Sequence, residues 1–345
     1  MQLLSLTLAA LMLAPAVQAQ QNELNLYSAR HYATDEALYA NFTKATGIKI
    51  NRIEIDDAGL IARLKSEGAA SPADVLLFVD AARLYRAEVD GLFQPIRSKR
   101  LDDAIPASLR SKPAADGGVS WFGFSTRARV VVYDKTRVKA DDVDTYEKLG
   151  DARNKGRLCI RSGSHPYNLS LFSSVTEHLG EASTEAWLKG VVANLARAPK
   201  GGDTDQIKSV AAGECQIAVT NSYYVARLMR SDKPEDKAVV EKIAVMFPNQ
   251  GTWGTHVNIA GGGVARNAKN RANAVQFLEY LATDEAQQYF ANGNNEWPTA
   301  KGIKIDNPAL QAMSPGGFKS ETIHVTAVGA NQPKVQQMLD RVGFK

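Results

Sequence analysis

The sequence predicts an α/β protein built from two units, and three observations carry that expectation. Short apolar, strand-like runs alternate with amphipathic helical segments along most of the chain. Its 345 residues are enough for about two domains of ordinary size, each with its own core. A composition of 44% hydrophobic and 23% charged residues excludes disorder as the dominant state, and no low-complexity tract or solenoid repeat interrupts the pattern.

Glu23 to Ser28 forms the first expected strand, followed by a helix from Asp35 to Thr46 with Thr34 as N-cap, Leu38 and Phe42 on one face, and Gly47 as its stop. Ile48 to Ile55 is a second strand, Asp57 to Ser66 a helix, Ala73 to Val79 a buried strand, and Ala81 to Val89 a helix ended by Gly91. This βαβαβα run predicts a parallel sheet covered on both faces. After a looser stretch with Pro106, Pro113 and Gly117, the extended run Ala128 to Tyr133 crosses into a second unit. There Leu158 to Arg161 and Gln216 to Thr220 are strands, and Ser170 to Leu179, Glu185 to Leu195, Thr204 to Ala212 and Tyr224 to Met229 are helices. Strands at Ile243 to Phe247 and Val257 to Ala260 follow, then one long amphipathic helix from Arg271 to Phe290. Two such units joined by more than one crossing segment leave a cleft between them, where small ligands bind and hinge closure is the expected motion.

Residues Met1 to Gln20 carry no charged side chain, and the apolar run Leu3 to Leu13 precedes Val17 and Ala19, which suit the minus-three and minus-one positions of a signal-peptidase site. Residues 1–19 are therefore expected to be a signal peptide and the mature protein to be exported. The formal charge of +4, from 41 Lys and Arg against 37 Asp and Glu, describes a mixed surface rather than a nucleic-acid footprint. An even cysteine count in an exported chain suggests a Cys159–Cys215 disulfide, with two buried free thiols on neighbouring strands as the alternative.

The informative residues lie where strands end. His31 and Tyr32 follow the first strand, Tyr167 follows the Cys159 to Arg161 strand after a Ser-Gly-Ser-His-Pro loop, and Tyr223 and Tyr224 follow Gln216 to Thr220. In open α/β sheets ligands collect outside the carboxyl ends of strands. Several phenolates in one pocket are too costly at neutral pH unless a cation draws their pKa values down. Fe(III) is hard and prefers anionic oxygen, Tyr is an iron ligand, and His can add a neutral nitrogen. Three phenolates balance three positive charges. A fourth leaves one negative charge for an arginine to offset, with Arg127, Arg129 and Arg161 as the candidates.

The stretches Leu26-Tyr27-Ser28-Ala29-Arg30-His31-Tyr32, Trp121 to Arg129, Cys159 to Ser164, Tyr167-Asn168 and Asn221-Ser222-Tyr223-Tyr224 resemble the periplasmic ferric-iron-binding proteins of bacterial iron ABC transporters, of the anion-independent type. The resemblance covers almost the whole mature chain. It implies a type II periplasmic-binding-protein fold, two α/β lobes with a hinged cleft, and Fe(3+) held by Tyr32, Tyr167, Tyr223 and Tyr224, with His31 as a further ligand and Arg127 and Arg161 behind them. The implied lobes are 20–122 with 248–298, and 123–247 with 299–345. The implied partner is an inner-membrane ABC permease served by a monomer in the periplasm.

The remaining motifs point elsewhere less firmly. His165 is expected to back the site or face solvent, and the resemblance places Trp253 to His256 in a loop of the first lobe near the cleft. Gly261-Gly262-Gly263 is not a phosphate loop, because no GKS or GKT follows. No GxSxG elbow or acid/base constellation supports an enzyme. The alternative to iron is the same scaffold binding an organic solute such as a polyamine, thiamine or a phosphonate, on which cleft aromatics could stack.

Overall fold

The computed structural model describes residues 22–30, 32 and 34–345; the expected signal peptide and His31 lie outside the described residues. In chain order the elements are β1 (Glu23–Ser28), α1 (Asp35–Thr46), β2 (Lys49–Glu54), α2 (Asp57–Glu67), β3 (Val75–Phe78), α3 (Ala81–Val89), α4 (Lys99–Ala104), β4 (Phe122–Asp134), β5 (Leu158–Cys159), α5 (Pro166–Leu179) and α6 (Glu181–Ala193). Then come α7 (Asp203–Ala211), β6 (Ile217–Asn221), α8 (Ser222–Met229), α9 (Pro234–Lys242), β7 (Ile243–Met246), β8 (Val257–Val264), α10 (Arg271–Leu281), α11 (Asp284–Asn294), β9 (Trp297–Pro298), α12 (Pro308–Met313) and α13 (Thr326–Val342).

Strands pair in the order β2-β1-β3-β8-β4-β6-β5, with β7 and β9 also on β4. β1 runs parallel to β2 and β3, and β5 parallel to β6, whereas β3–β8, β8–β4 and β4–β6 are antiparallel. The alternation of side chains along a strand sorts the cores. In the first lobe Val75 and Leu77 face Phe42, Phe277 and Leu278, while Leu76 and Phe78 face Leu60, Leu84 and Trp121. In the second, Val130 and Val132 pack with Ile207, Val210 and Val225, while Val131 packs with Phe172, Leu188 and Leu339. Truncating a core ring such as Phe42 to Ala would cost about 3–5 kcal/mol.

Three elements run through both lobes. The first half of β4 carries Phe122 and Phe124 into the first-lobe core, and its second half carries Val130 to Val132 into the second. β8 passes from Val257 in a second-lobe core to Val264 in a first-lobe core. Val325, just ahead of α13, packs in the first lobe, and Val335 and Met338 within it pack in the second. Gly261, Gly262 and Gly263 lie within β8, where a Cβ would collide with the carbonyl oxygens of Phe122, Leu76 and Ser120. Close strand approach explains this glycine run.

Several sequence expectations shift. The segment expected to be one helix over 271–290 is two, because Thr283 takes an extended backbone and its hydroxyl accepts from the Ala286 N–H at 3.4 Å, starting α11 afresh. Thr34 does not cap α1; its backbone is already helical and its hydroxyl donates to Asn294. Gly47 does end α1, at φ +73°, donating to the Thr43 carbonyl. Cys159, at the end of β5, and Cys215, just ahead of β6, form a disulfide with Cα atoms 5.8 Å apart.

Candidate metal centre

The helix that carries Tyr167 starts earlier than its apolar periodicity suggests. The imidazole Nδ1 of His165 accepts the Tyr167 N–H at 3.2 Å and Pro166 occupies the first helical position, where a missing N–H is harmless and its fixed φ suits the helix. Tyr167 therefore stands in the first turn of α5. Likewise α8 opens at Ser222, so Tyr223 and Tyr224 both occupy its first turn, with ring centroids 4.3 Å apart. The two helix starts converge: the Tyr167 and Tyr223 hydroxyls are 3.1 Å apart. Tyr32, four residues beyond β1, faces them from the first lobe and donates to Glu296 Oε1 at 3.4 Å. All four tyrosines line one cavity of about 360 Å³, together with Val79, Asp80 and Arg227.

Burial raises the Tyr32 phenol pKa, and the Glu296 carboxylate raises it further. Burial pushes Tyr167 up to about 12, and Tyr223 rises well above the ordinary phenol value through burial and the neighbouring tyrosines. These groups are phenols at neutral pH without a cation, and only an added positive charge lets several ionise together. Burial also pushes His165 down to about 4, helped by Arg161 and Arg129, so it is neutral and packs edge-on against Tyr167 at 4.5 Å.

Of the three arginines anticipated behind the site, Arg129 and Arg161 share one carboxylate. Arg129 Nη1 is 2.5 Å from Asp203 Oδ2, and Arg161 Nη1 is 3.2 Å from Asp203 Oδ1. Arg129 also donates to Asn168 and Asn221, and both guanidiniums lie over the Tyr167 ring. Arg127 differs. It is buried, donates to the Val79 carbonyl, and among the described residues has no carboxylate within ion-pair distance; its Nε and Nη1 are buried without a hydrogen-bond partner. Burial opposes its charge, but Glu296, Tyr32, Tyr167 and Tyr223 together raise its pKa.

Sequence reasoning missed Glu296 and Arg227. Glu296 lies just ahead of β9, accepts from Ser125 Oγ at 2.6 Å and sits 3.8 Å from Arg30, which also pairs with Asp35. Arg227 is exposed and covers the rings of Tyr32, Tyr223 and Tyr224 at 5.1–5.9 Å. Its signal was present: Arg227 stands four residues after Tyr223 on a helix, hence on the same face. Trp253 and His256, expected near the cleft in a first-lobe loop, instead pack on second-lobe groups. Trp253 stacks on Tyr146 and His178, and His256 Nδ1 bonds Glu321. Among the described residues no cluster of three or more His, Cys, Asp and Glu could hold a metal, so the tyrosines are the donor set to consider.

Two α/β lobes joined by crossing strands, with polar side chains from both converging on one cleft, define a periplasmic solute-binding protein of the type II fold. The chain belongs to the bacterial extracellular solute-binding protein family, which it matches over residues 37–313. It is 48% identical to "Iron uptake protein A1" of Synechocystis over 94% of this chain and 88% of that one. It is 28% identical to the "Fe(3+)-binding periplasmic protein" of Serratia marcescens over 99% of this chain and 96% of that one. A Trichodesmium protein, IdiA or FutA, solved in complex with iron and citrate, superposes with a TM-score of 0.88 at 50% identity, over 94% of this chain and 100% of that one.

Proposed function

We propose that this protein captures ferric iron in the periplasm and delivers it to the permease of an ABC transporter in the inner membrane. It acts as a monomer, without catalysis and without a nucleic-acid partner. Iron uptake and ferric-iron binding are the named roles of relatives aligned over nearly the whole chain. Among the described residues no helix is long and apolar enough to cross a membrane. The proposed lobes are 20–122 with 248–298 and 123–247 with 299–345; the core clusters support this division for most of the chain, while Trp253, Val257 and Trp297 pack with the second lobe and Ala300 and Val325 with the first.

The observation that carries the reading is the convergence of Tyr32, Tyr167, Tyr223 and Tyr224 on one cavity, with two hydroxyls 3.1 Å apart and a buried arginine that has no carboxylate partner among the described residues. Fe(III) replaces the phenol protons, and four phenolates around it leave one negative charge that Arg127 offsets. His31, adjacent in sequence to Tyr32, is the remaining proposed donor.

Phenolate-to-iron charge transfer makes the loaded protein coloured, and Tyr→Phe at any of the four positions removes the anionic oxygen while keeping the ring. Each variant should bind iron more weakly and shift or lose the visible band after loading with ferric citrate. A colourless wild-type protein, or four Phe variants with unchanged affinity, would reject the iron site and favour an organic solute. The neighbours Tyr223 and Tyr224 are the sharpest comparison, since one of an adjacent pair could pack while the other ligates.

A further inference from the structure

We propose that Ser170, Asp80 and Asn258 form a latch that holds the two lobes closed over the cleft and sets how fast the iron leaves; this rests on the reading of the cleft as an iron site. Asp80 stands between β3 and α3 in the first lobe. Its Oδ1 caps α3 by accepting the Ala82 N–H at 2.8 Å. Its Oδ2 accepts from Ser170 Oγ at 2.9 Å and from Asn258 Nδ2 at 2.8 Å. Asn258 completes the knot by accepting the Ala81 N–H at 2.9 Å through its own Oδ1.

The three residues come from three different parts of the molecule. α3 packs Ala81, Leu84 and Ala87 into a first-lobe core, α5 packs Leu171, Phe172 and Val175 into a second-lobe core, and Asn258 lies on β8, which passes between them. The Ser170–Asp80 bond therefore spans the lobes, and separating α5 from α3 breaks it. The groups are buried at 3% exposure for Asp80, 0% for Ser170 and 5% for Asn258, so in the closed state the carboxylate depends on them for its hydrogen bonds. Beside them Arg127 on β4 donates to the carbonyl of Val79, the residue before Asp80. Ser170 also stands three residues after Tyr167 on the same helix, so the latch engages at the helix that brings Tyr167 to the cavity.

A hydrogen bond to a buried carboxylate contributes to the closed state alone, because in the opened cleft water takes the place of Ser170. Losing it speeds opening and leaves the tyrosines around the metal intact. The test is the rate at which excess EDTA strips iron from the ferric-loaded protein, followed by the visible band, in wild type, Ser170→Ala, Ser170→Thr, Asp80→Asn and the Ser170→Ala/Asp80→Asn double variant. Ser170→Ala should release iron about tenfold faster, which is the loss of one charge-assisted hydrogen bond. Its band position and the melting temperature of its iron-free form should match wild type. Ser170→Thr keeps the hydroxyl and should restore slow release, and the double variant should be no faster than the quicker single one. Unchanged release in Ser170→Ala would overturn the latch. So would a shifted band, which would place the effect on Tyr167, or a lowered iron-free melting temperature, which would place it on packing. Failure of the wild type itself to form a coloured complex would be a different result, rejecting the iron reading.

Discussion

Arg127 is the residue on which the electrostatics of the cleft turn. Arg129 and Arg161 divide the charge of Asp203 between them, whereas Arg127 faces Glu296, Tyr32, Tyr167 and Tyr223 with two of its nitrogens uncommitted. Replacing it with Gln removes the positive charge that helps these phenols ionise, so displacing their protons becomes harder. Iron affinity in competition with citrate at pH 7 should fall on the order of tenfold for each pKa unit lost, and the same substitution at exposed Arg266 should leave it unchanged. Equal affinity for Arg127→Gln and wild type would remove Arg127 from the site. The tyrosines were legible in the sequence because four phenols at three strand ends are hard to explain as core. Glu296 was not, because its meeting with Tyr32 spans 264 positions and nothing local to it marks a site.

At the scale of elements, alternation exposed the strands and helices but not their terminal chemistry. Apolar periodicity placed the start of α5 at Ser170, whereas the His165 cap and Pro166 start it a turn earlier and lift Tyr167 out of the loop. Periodicity likewise ran across the Thr283 break, because the apolar stripe continues on both sides of it. Nor did it identify α13 or the segment leading into it, where Glu321 is held between two histidines. Glu321 Oε2 meets His178 Nε2 at 3.1 Å and accepts from Ser174, and Oε1 meets His256. Burial alone would raise the carboxyl pKa, but the electrostatic interaction with His256 and the hydrogen bonds with His178, His256 and Ser174 outweigh it and hold the value at about 2. A folded-state pKa below the unfolded value of about 4.3 gives stability that is complete above that value and is lost as pH falls toward 2. The shift corresponds to roughly 3 kcal/mol. Glu321→Gln should therefore be less stable than wild type in urea at pH 7, and the gap should close between about pH 4 and pH 2. A gap independent of pH over that range would show that the carboxylate charge is not what stabilises this junction.

For the whole molecule, the distribution of the proposed donors between the lobes bears on motion. Tyr32 comes from the first lobe and Tyr167, Tyr223 and Tyr224 from the second, so a metal bound by all four can enter and leave only if the lobes part. β4, β8 and α13 each run between the lobes, and three such connections favour rotation about one axis over sliding. α13 is suited to bend. Pro333 lies inside it and cannot donate to the carbonyl of Gly329, and Gly329 sits so close to Tyr85 of α3 that a Cβ there would approach the ring within 2.6 Å. The helix is thus pinned to the first lobe at Gly329 and weakened one turn later, before Val335 and Met338 enter the second-lobe core. Opening by rotation at these segments separates the lobes without unfolding either core, so the iron-free protein should be more extended than the loaded one. Small-angle scattering should give a smaller radius of gyration after loading with ferric citrate and removal of the excess. The Tyr32→Phe variant, which removes the first lobe's proposed phenolate donor, should contract less at the same iron occupancy. Identical radii for loaded and iron-free wild type would mean that the donors assemble without lobe movement, and the hinge at Pro333 would lose its purpose.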